Sequence, residues 1–566
     1  MNNLVAKDFI VFILYFILVS SYGYWIYVKR KKREHDAKAF FLAEGSLTWW
    51  AIGASLIASN ISAEQFIGMS GNGFFVGIAV SAYEWIAAVA LIIIAVWFMP
   101  VYLRNKIYTM PQFLKVRYNE TVALIMAVFW LFLYVIVNLT SILFLGGVAI
   151  TGLITSPASP DYFNYLHMVM IFLAIFAIII TLGGMKVIGY TDVIQVGVLL
   201  IGGLATTYLA LTIVSEKFGL GKDAIAGFKT LMTKAPDHFH MILNKPEPGA
   251  SQEYVNKYLI LPGLAMYAAG QWIANLNYWG CNQYITQRAL GANLPTARNG
   301  LLFAGFLKLL MPVVVMLPGI AAYVLSKNGH LPGLTKMDDA YSSILGFLPA
   351  GLKGLSLAAL TAAIVASLAG KANSISTIYT LDIYKRYINK ESSETRMVWI
   401  GRVVVLIAMI IAIGLTWQDA MGIGRAGGFT YIQKYTGFIS PGVFAMFILG
   451  MFWKRTTGTA AVVGVILGLL LSIFFNNYAV SWFGHETWLY TAFLNDQGLY
   501  EIPFLINMGW SFVITVAVMA IISLAGPKVN PKAFIFDKDL FKLQPGTILM
   551  IVVLLMVLAA LYIKFW

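Results

Sequence analysis

An all-α polytopic membrane protein of about fourteen transmembrane helices is predicted by three features of this chain. Hydrophobic residues fill 60% of its 566 positions and charged residues only 11%, a composition that no water-soluble domain with a single core carries. Apolar windows of roughly 20 residues recur from one end to the other. Lys and Arg gather in alternate connections between those windows, as they do where positive charge on the cytoplasmic side orients a chain.

The windows fall near 8–28, 47–75, 77–102, 121–153, 164–183, 188–214, 257–284, 299–326, 350–384, 397–417, 425–452, 457–476, 503–525 and 545–565. With the N-terminus outside, the cytoplasmic connections carry Lys29–Arg33 and Lys38, then Arg104, Lys106, Lys115 and Arg117. Later ones carry Arg288 and Arg298, Lys385, Arg386, Lys390 and Arg396, Lys454 and Arg455, and Lys528 to Lys542. The opposite loops at 154–163, 418–424 and 477–502 contain no Lys or Arg. An even number of spans returns the C-terminus to the outside, and a plasma (inner) membrane location is expected. The formal charge of +14 is explained by this orientation rather than by nucleic acid. A lone cysteine, Cys281, excludes an internal disulfide and a multi-cysteine metal site, and no Walker-type phosphate loop marks an ATP-driven engine. Such a chain is a transporter before it is an enzyme, and no organic cofactor is expected.

Taken in order, the first window has almost no basic residue ahead of it and the cluster Lys29 to Arg33 behind it, the reverse of a cleaved leader. Residues 1–46 therefore read as an anchor helix with a basic loop. The second window contains WWAIGASLIASNISAEQFIGMSGNGFF from Trp49, with Asn60, Ser62, Glu64 and Gln65 near its middle. Polar groups in hydrocarbon are costly unless partnered, and a helix interrupted near Asn60 exposes backbone groups to whatever lies beside it. Glu84 sits in the third window and Asp192 near the start of the sixth, which closes a first group of five over 47–214. Residues 215–256 form an outer loop whose mixed charges, Pro and Gly suit short amphipathic pieces. The next window is interrupted like the second: GQWIANLNYWGCNQYITQR sets Gln271, Asn275, Asn277, Asn282 and Gln283 in an apolar run that carries two glycines. Two interrupted spans five apart imply a five-plus-five inverted repeat, its second half over 257–452, with the substrate held where the breaks meet. Residues 453–566 add three further helices.

The remaining buried polar residues are Lys308 in FAGFLKLLMP and Gln433 in FTYIQKYTG. Each taken singly fits a helix–helix hydrogen bond. Together, a carboxylate at Glu84, an ammonium at Lys308 and amides at Gln65, Asn275 and Gln433 suit a neutral polyol, whose hydroxyls both donate and accept. Aromatic rings at Tyr83, Tyr278, Trp279, Phe429 and Tyr431 suit the C–H face of a pyranose as well as ordinary packing. The small-residue run LAALTAAIVASLAGKANSISTIYTLDIYKRY lets helices approach closely. Within it, Ser367 and carbonyls near Ala363 can also serve as oxygen ligands of a hard cation, with carbonyls near Ala58 and Ile61 completing the shell.

The stretches GASLIASNISAEQFIGMSG, SAYEWI, YTDVIQV, NYWGCNQYITQR, LPGIAAY, TLDIYKRYI and YTGFISPG resemble the sodium/glucose cotransporter type of the sodium/solute symporter family, most closely its bacterial sodium/galactose branch. The resemblance runs from about residue 38 to the C-terminus and weakens in the outer loops and after about residue 476. It implies a leucine-transporter-like inverted repeat with one extra helix before the repeats and three after. It also implies secondary active import of a galactose- or glucose-like hexose by sodium symport with alternating access. The family's sugar contacts fall on Gln65, Glu84, Asn275, Lys308 and Gln433, with Tyr278 under the sugar as the inner gate. Met69, Tyr83 and Phe429 match the outer gate. The sodium positions fall on the backbone of Ala58, Ile61 and Ala363 and on the Ser367 hydroxyl, and Asp192 matches the acid on the cytoplasmic ion path.

Three positions depart from that pattern. Ala87 stands where the family has a sugar-contacting serine, Ala366 where it has a serine ligand of sodium, and Lys371 where it has an apolar residue. Ser367 and Lys371 are one turn apart on one helical face, so the ammonium lies on the ion path with Asp192 expected nearby. Either Lys371 pairs with Asp192 beside a working sodium site, or it replaces sodium in a proton-coupled or facilitative transporter of a sugar or cyclitol. A solute sensor or a channel is the reading from another class.

Overall fold

The computed structural model describes residues 4–29, 47–155, 159–331, 334, 337–419 and 428–566, and it is predominantly helical. Its helices include α1 (Ala6–Lys29), α2 (Trp49–Asn60), α3 (Ser70–Phe75), α4 (Ala82–Ile93), α5 (Tyr162–Leu182), α6 (Gly184–Lys217), α7 (Gly270–Cys281) and α8 (Gln283–Leu290). They continue with α9 (Leu294–Lys327), α10 (Leu352–Thr377), α11 (Glu394–Thr416), α12 (Ser440–Phe452), α13 (Gly458–Asn477), α14 (Phe504–Leu524) and α15 (Pro545–Phe565). Most of the basic cluster after α1, Arg30 to Arg33 with Lys38, lies outside the described residues.

Among the described residues, eleven helices are long and apolar enough to cross a membrane, twelve if the bent pair Gln252–Ala268 and Gly270–Cys281 is one span. The windows at 47–75 and 425–452 are in pieces. The first consists of α2, a π-helical turn Glu64–Met69 and α3; the second is Gly428–Gly437 followed by α12. The two strands Phe493–Leu494 and Tyr500–Glu501 pair antiparallel in the connection between α13 and α14, a hairpin that hydropathy does not reveal. The loop at 215–256 holds the expected short helices, Ala224–Lys234 and Gln252–Ile260, capped by the side chains of Asp223 and Ser251.

The second window expected to be interrupted is broken, at its first glycine. The chain bends by 81° at Ala269, and α7 then runs unbroken through Gly280 to Cys281 before Asn282 turns extended. Gly280 serves packing instead. A Cβ there would lie 2.9 Å from the Phe98 ring, and the Gly280 carbonyl accepts a hydrogen bond of 2.7 Å from the Tyr102 hydroxyl.

The chain forms two compact units, each drawn from both halves of the sequence. The first takes residues through Ile78, Ala127–Phe239 and Gln287–Tyr431; the second takes Ala79–Met126, His240–Thr286 and Ile432–Trp566. In the first unit α10 is the central element, packed by α1, α2, α5, α6 and α11, and its small residues leave almost every position buried. The Asp8 carboxylate of α1 caps the start of α10, accepting from the Gly351 and Gly354 amides at 2.7 and 3.0 Å. A Cβ at Gly354 would lie within 2.4 to 2.9 Å of the Asp8 backbone, so the close approach requires glycine.

In the second unit α7 packs on α4, α12 and α14, and α13 on α12 and α14. Arg117, expected in a cytoplasmic loop, is wholly buried. Its guanidinium donates to the Gly450 and Trp453 carbonyls at 2.5 and 3.1 Å, satisfying backbone acceptors at the end of α12.

Candidate functional site

The first break lies in the first unit, and its own residues set its geometry. α2 ends at Asn60 and Ile61 takes extended dihedrals, φ −82° and ψ 117°. In an unbroken helix the Ser62 amide would close on the Ala58 carbonyl; here it donates to Gln65 Oε1 at 2.9 Å. The Gln65 amide likewise closes on Ser62 O at 3.1 Å rather than on Ile61 O. The break thus turns the Ala58 and Ile61 carbonyls out of the helical ladder while Gln65 caps the turn that follows. The Lys308 ammonium, from α9, donates to Asn60 Oδ1 at the same break and is almost wholly buried.

α10 brings Ser367 to this point. Its hydroxyl donates to the Ser59 carbonyl at 3.1 Å, and the Ser59 hydroxyl is itself buried with no hydrogen-bond partner. Lys371 reaches the same oxygen: its ammonium donates to Ser367 Oγ at 3.3 Å and stands 3.9 Å from Glu64 Oε1. This corrects the pairing with Asp192 expected from the sequence. A long side chain on a helix leans toward the N-terminal end, so Lys371 covers the Ser367 turn and meets the segment after the break. Asp192, in α6, accepts from the Ser55 hydroxyl and lies 3.7 Å from the Arg288 guanidinium. Arg288 also donates through Nε to Ser55 O at 3.0 Å and Ser55 Oγ at 2.8 Å. Sequence reasoning placed Arg288 and Arg298 in a cytoplasmic loop, yet both are buried. The signal for Arg288 was Gly370: a Cβ there would lie 2.5 Å from the guanidinium, so the small-residue run makes room for it.

Of the expected sugar and gate residues, Gln65, Lys308 and Met69 belong to the first unit, whereas Glu84, Tyr83, Asn275, Tyr278 and Gln433 belong to the second. Glu84 and Tyr83 are buried in the first turn of α4. Asn275 folds back on its own helix, donating to Gln271 O at 3.0 Å, and Asn277 donates to Ser440 Oγ at 3.1 Å. The Tyr278 hydroxyl accepts from Tyr284 across the Asn282 break, and its ring meets Trp279 edge-on. Gln433 is half-buried, and the side chains of Phe429 and Tyr431 lie outside the described residues.

A broken helix beside a buried hydroxyl on a small-residue helix is an arrangement for holding a cation, and residues 40–468 match the model of the sodium:solute symporter family. The chain belongs to that family. Sodium is accordingly the coupling ion of this symporter, its cargo is a small solute, and it is a transporter rather than an enzyme. It is 40% identical to the sodium/glucose cotransporter of Vibrio parahaemolyticus over 99% of this chain and 98% of that one. It is 32% identical to the sodium/myo-inositol cotransporter 2 of Homo sapiens over 83% of this chain and 70% of that one. A sodium-coupled sialic acid symporter solved in a substrate-bound outward-open state shares the fold at a TM-score of 0.74 and 19% identity, over 93% of this chain and 99% of that chain. The fold is leucine-transporter-like, as expected from the sequence.

The oxygens in the first unit fit the family's ion. Sodium is a hard cation that prefers carbonyl and hydroxyl ligands, and near the break the Ser367 hydroxyl meets the Ser59 carbonyl while the buried Ser59 hydroxyl has no hydrogen-bond partner. The methyl of Ala366 contributes no oxygen, so the symporter's pocket is one hydroxyl poorer than the family pattern implies.

Proposed function

We propose that this symporter imports a neutral hexose or cyclitol with sodium by alternating access. Sodium binds at Ala58, Ile61, Ala363 and Ser367 and leaves past Asp192, while the sugar is held by Gln65, Glu84, Asn275, Lys308 and Gln433 over Tyr278. Met69, Tyr83 and Phe429 close the outer side, with both termini outside in the plasma membrane. The observation that supports this reading is the self-capped break at Ile61, just beyond the Ser59 carbonyl that Ser367 reaches. The substrate class is supported by the donor set, because amides, one carboxylate and one ammonium match hydroxyls that donate and accept. Two relatives whose names specify glucose and myo-inositol, both neutral polyols, point the same way.

The test is uptake of labelled hexoses and inositols into proteoliposomes, with a sodium gradient or with choline in its place. Saturable accumulation of one polyol above its outside concentration, driven by sodium, is the expected result. Non-saturating flux indicates a channel, and binding without accumulation a sensor. Because the Tyr278 hydroxyl accepts from Tyr284, Tyr278→Phe keeps the ring and loses that hydrogen bond, at about 0.5–1.5 kcal/mol. Uptake should survive in Tyr278→Phe and fall in Tyr278→Ala; full accumulation by the alanine variant removes Tyr278 from the gate.

A further inference from the structure

We infer that the Lys371 ammonium is a tethered cation that competes with sodium for the Ser367 oxygen, and that Glu64 is the carboxylate to which it withdraws when sodium binds. This rests on the sodium-symport reading above. Three observations carry it. The ammonium and the proposed sodium share a ligand, since Lys371 donates to Ser367 Oγ at 3.3 Å. An alternative anion is in place, since Glu64 Oε1 stands 3.9 Å from the same nitrogen on the segment immediately after the break. The third is charge balance. Lys371 with Glu64 and Arg288 with Asp192 form two ion pairs around Ser367 and Ser55, and their charges cancel.

A buried cluster that is already neutral gains an uncompensated positive charge when sodium enters, at a position where water cannot screen it. Without Lys371 the same groups sum to one negative charge, the deficit a single sodium ion would fill. Ala366 acts in the same direction, because a pocket short of one oxygen holds sodium less firmly and leaves Ser367 to the ammonium. The side chain needs little motion to change partners. Both oxygens are already within 4 Å of its nitrogen, so rotation about the outer bonds of the lysine exchanges Ser367 for Glu64.

The test is direct binding of radioactive sodium to the purified full chain, alongside sodium-dependent sugar uptake in proteoliposomes. Lys371→Met should lower the half-saturating sodium concentration by ~10-fold or more, since it removes a like charge from the pocket. Glu64→Gln should raise it, because the ammonium then has no carboxylate to move to. Lys371→Arg, which keeps the charge, should not bind sodium more tightly than the native chain. A Lys371→Met chain that is folded and binds sodium no more tightly than the native one overturns the inference, as does unchanged affinity in Glu64→Gln. Failure of the underlying reading looks different: the native chain then takes up sugar equally well in choline, and neither it nor Lys371→Met binds sodium.

Discussion

Asp192 and Arg288 show what a buried ion pair does in this protein. Both are almost wholly buried, and the guanidinium ties Ser55 of α2 to the acid on α6. Removing one partner leaves the other charge buried without its counterion, so Asp192→Ala should destabilise the fold by ~3–5 kcal/mol, whereas replacing both by apolar residues should cost less. Thermal unfolding of the purified single and double variants checks this; native-like melting of Asp192→Ala would remove the pair from the account of stability. Gln65 carries a second prediction. Its side chain caps the break as well as being a proposed sugar contact, so Gln65→Ala should weaken sugar affinity by ~5–150-fold, about 1–3 kcal/mol. An unchanged affinity in the folded variant would take Gln65 out of the sugar site. Asp192, Ser367 and Lys371 were legible in the sequence as polar residues in apolar spans. Their partners Arg288 and Glu64 were not paired with them, because spacing along one helix identifies neighbours on that helix and says nothing about which side chain arrives from another.

At the scale of elements, the first break was legible because four polar residues crowd the centre of an apolar window. The second was legible as polar residues in an apolar run with glycines; what was not legible is that Gly280 is there for close packing against Phe98 rather than for backbone freedom. Composition cannot separate those two uses of glycine; only the neighbour does. The seat of α1 on α10 was also invisible, since Asp8 reads as an ordinary charge near the end of a span. Asp8→Ala strands the Gly351 and Gly354 amides, and Gly354→Ala forces the two backbones apart. Each should cost about 1–3 kcal/mol and raise protease sensitivity within α1. Proteolysis at rates equal to the native chain in both variants would mean that α1 is held by its apolar face alone.

At the scale of the whole molecule, hydropathy made the windows legible, and the charges between them suggested an orientation. The division into two compact units was not legible, because each unit is assembled from three separated stretches. Cys281, the chain's only cysteine, offers a native reporter of alternating access: it is buried at the end of α7, beside the Asn282 break. If the protein alternates, the rate at which a small maleimide labels Cys281 should differ by ~10-fold or more between sodium with sugar and choline alone. A rate indifferent to both would argue for a fixed pore. The self-capped turn at Gln65 bears on how such a chain is made. A nascent span with a broken centre would ordinarily have to wait for later helices to satisfy its backbone, because lipid offers no hydrogen bonds. Here the Ser62 amide is satisfied by a residue three positions on, within the same span. The break can therefore form as the segment leaves the ribosome, and the carbonyls proposed to bind sodium are laid out before α10, more than 250 residues away, has been synthesised.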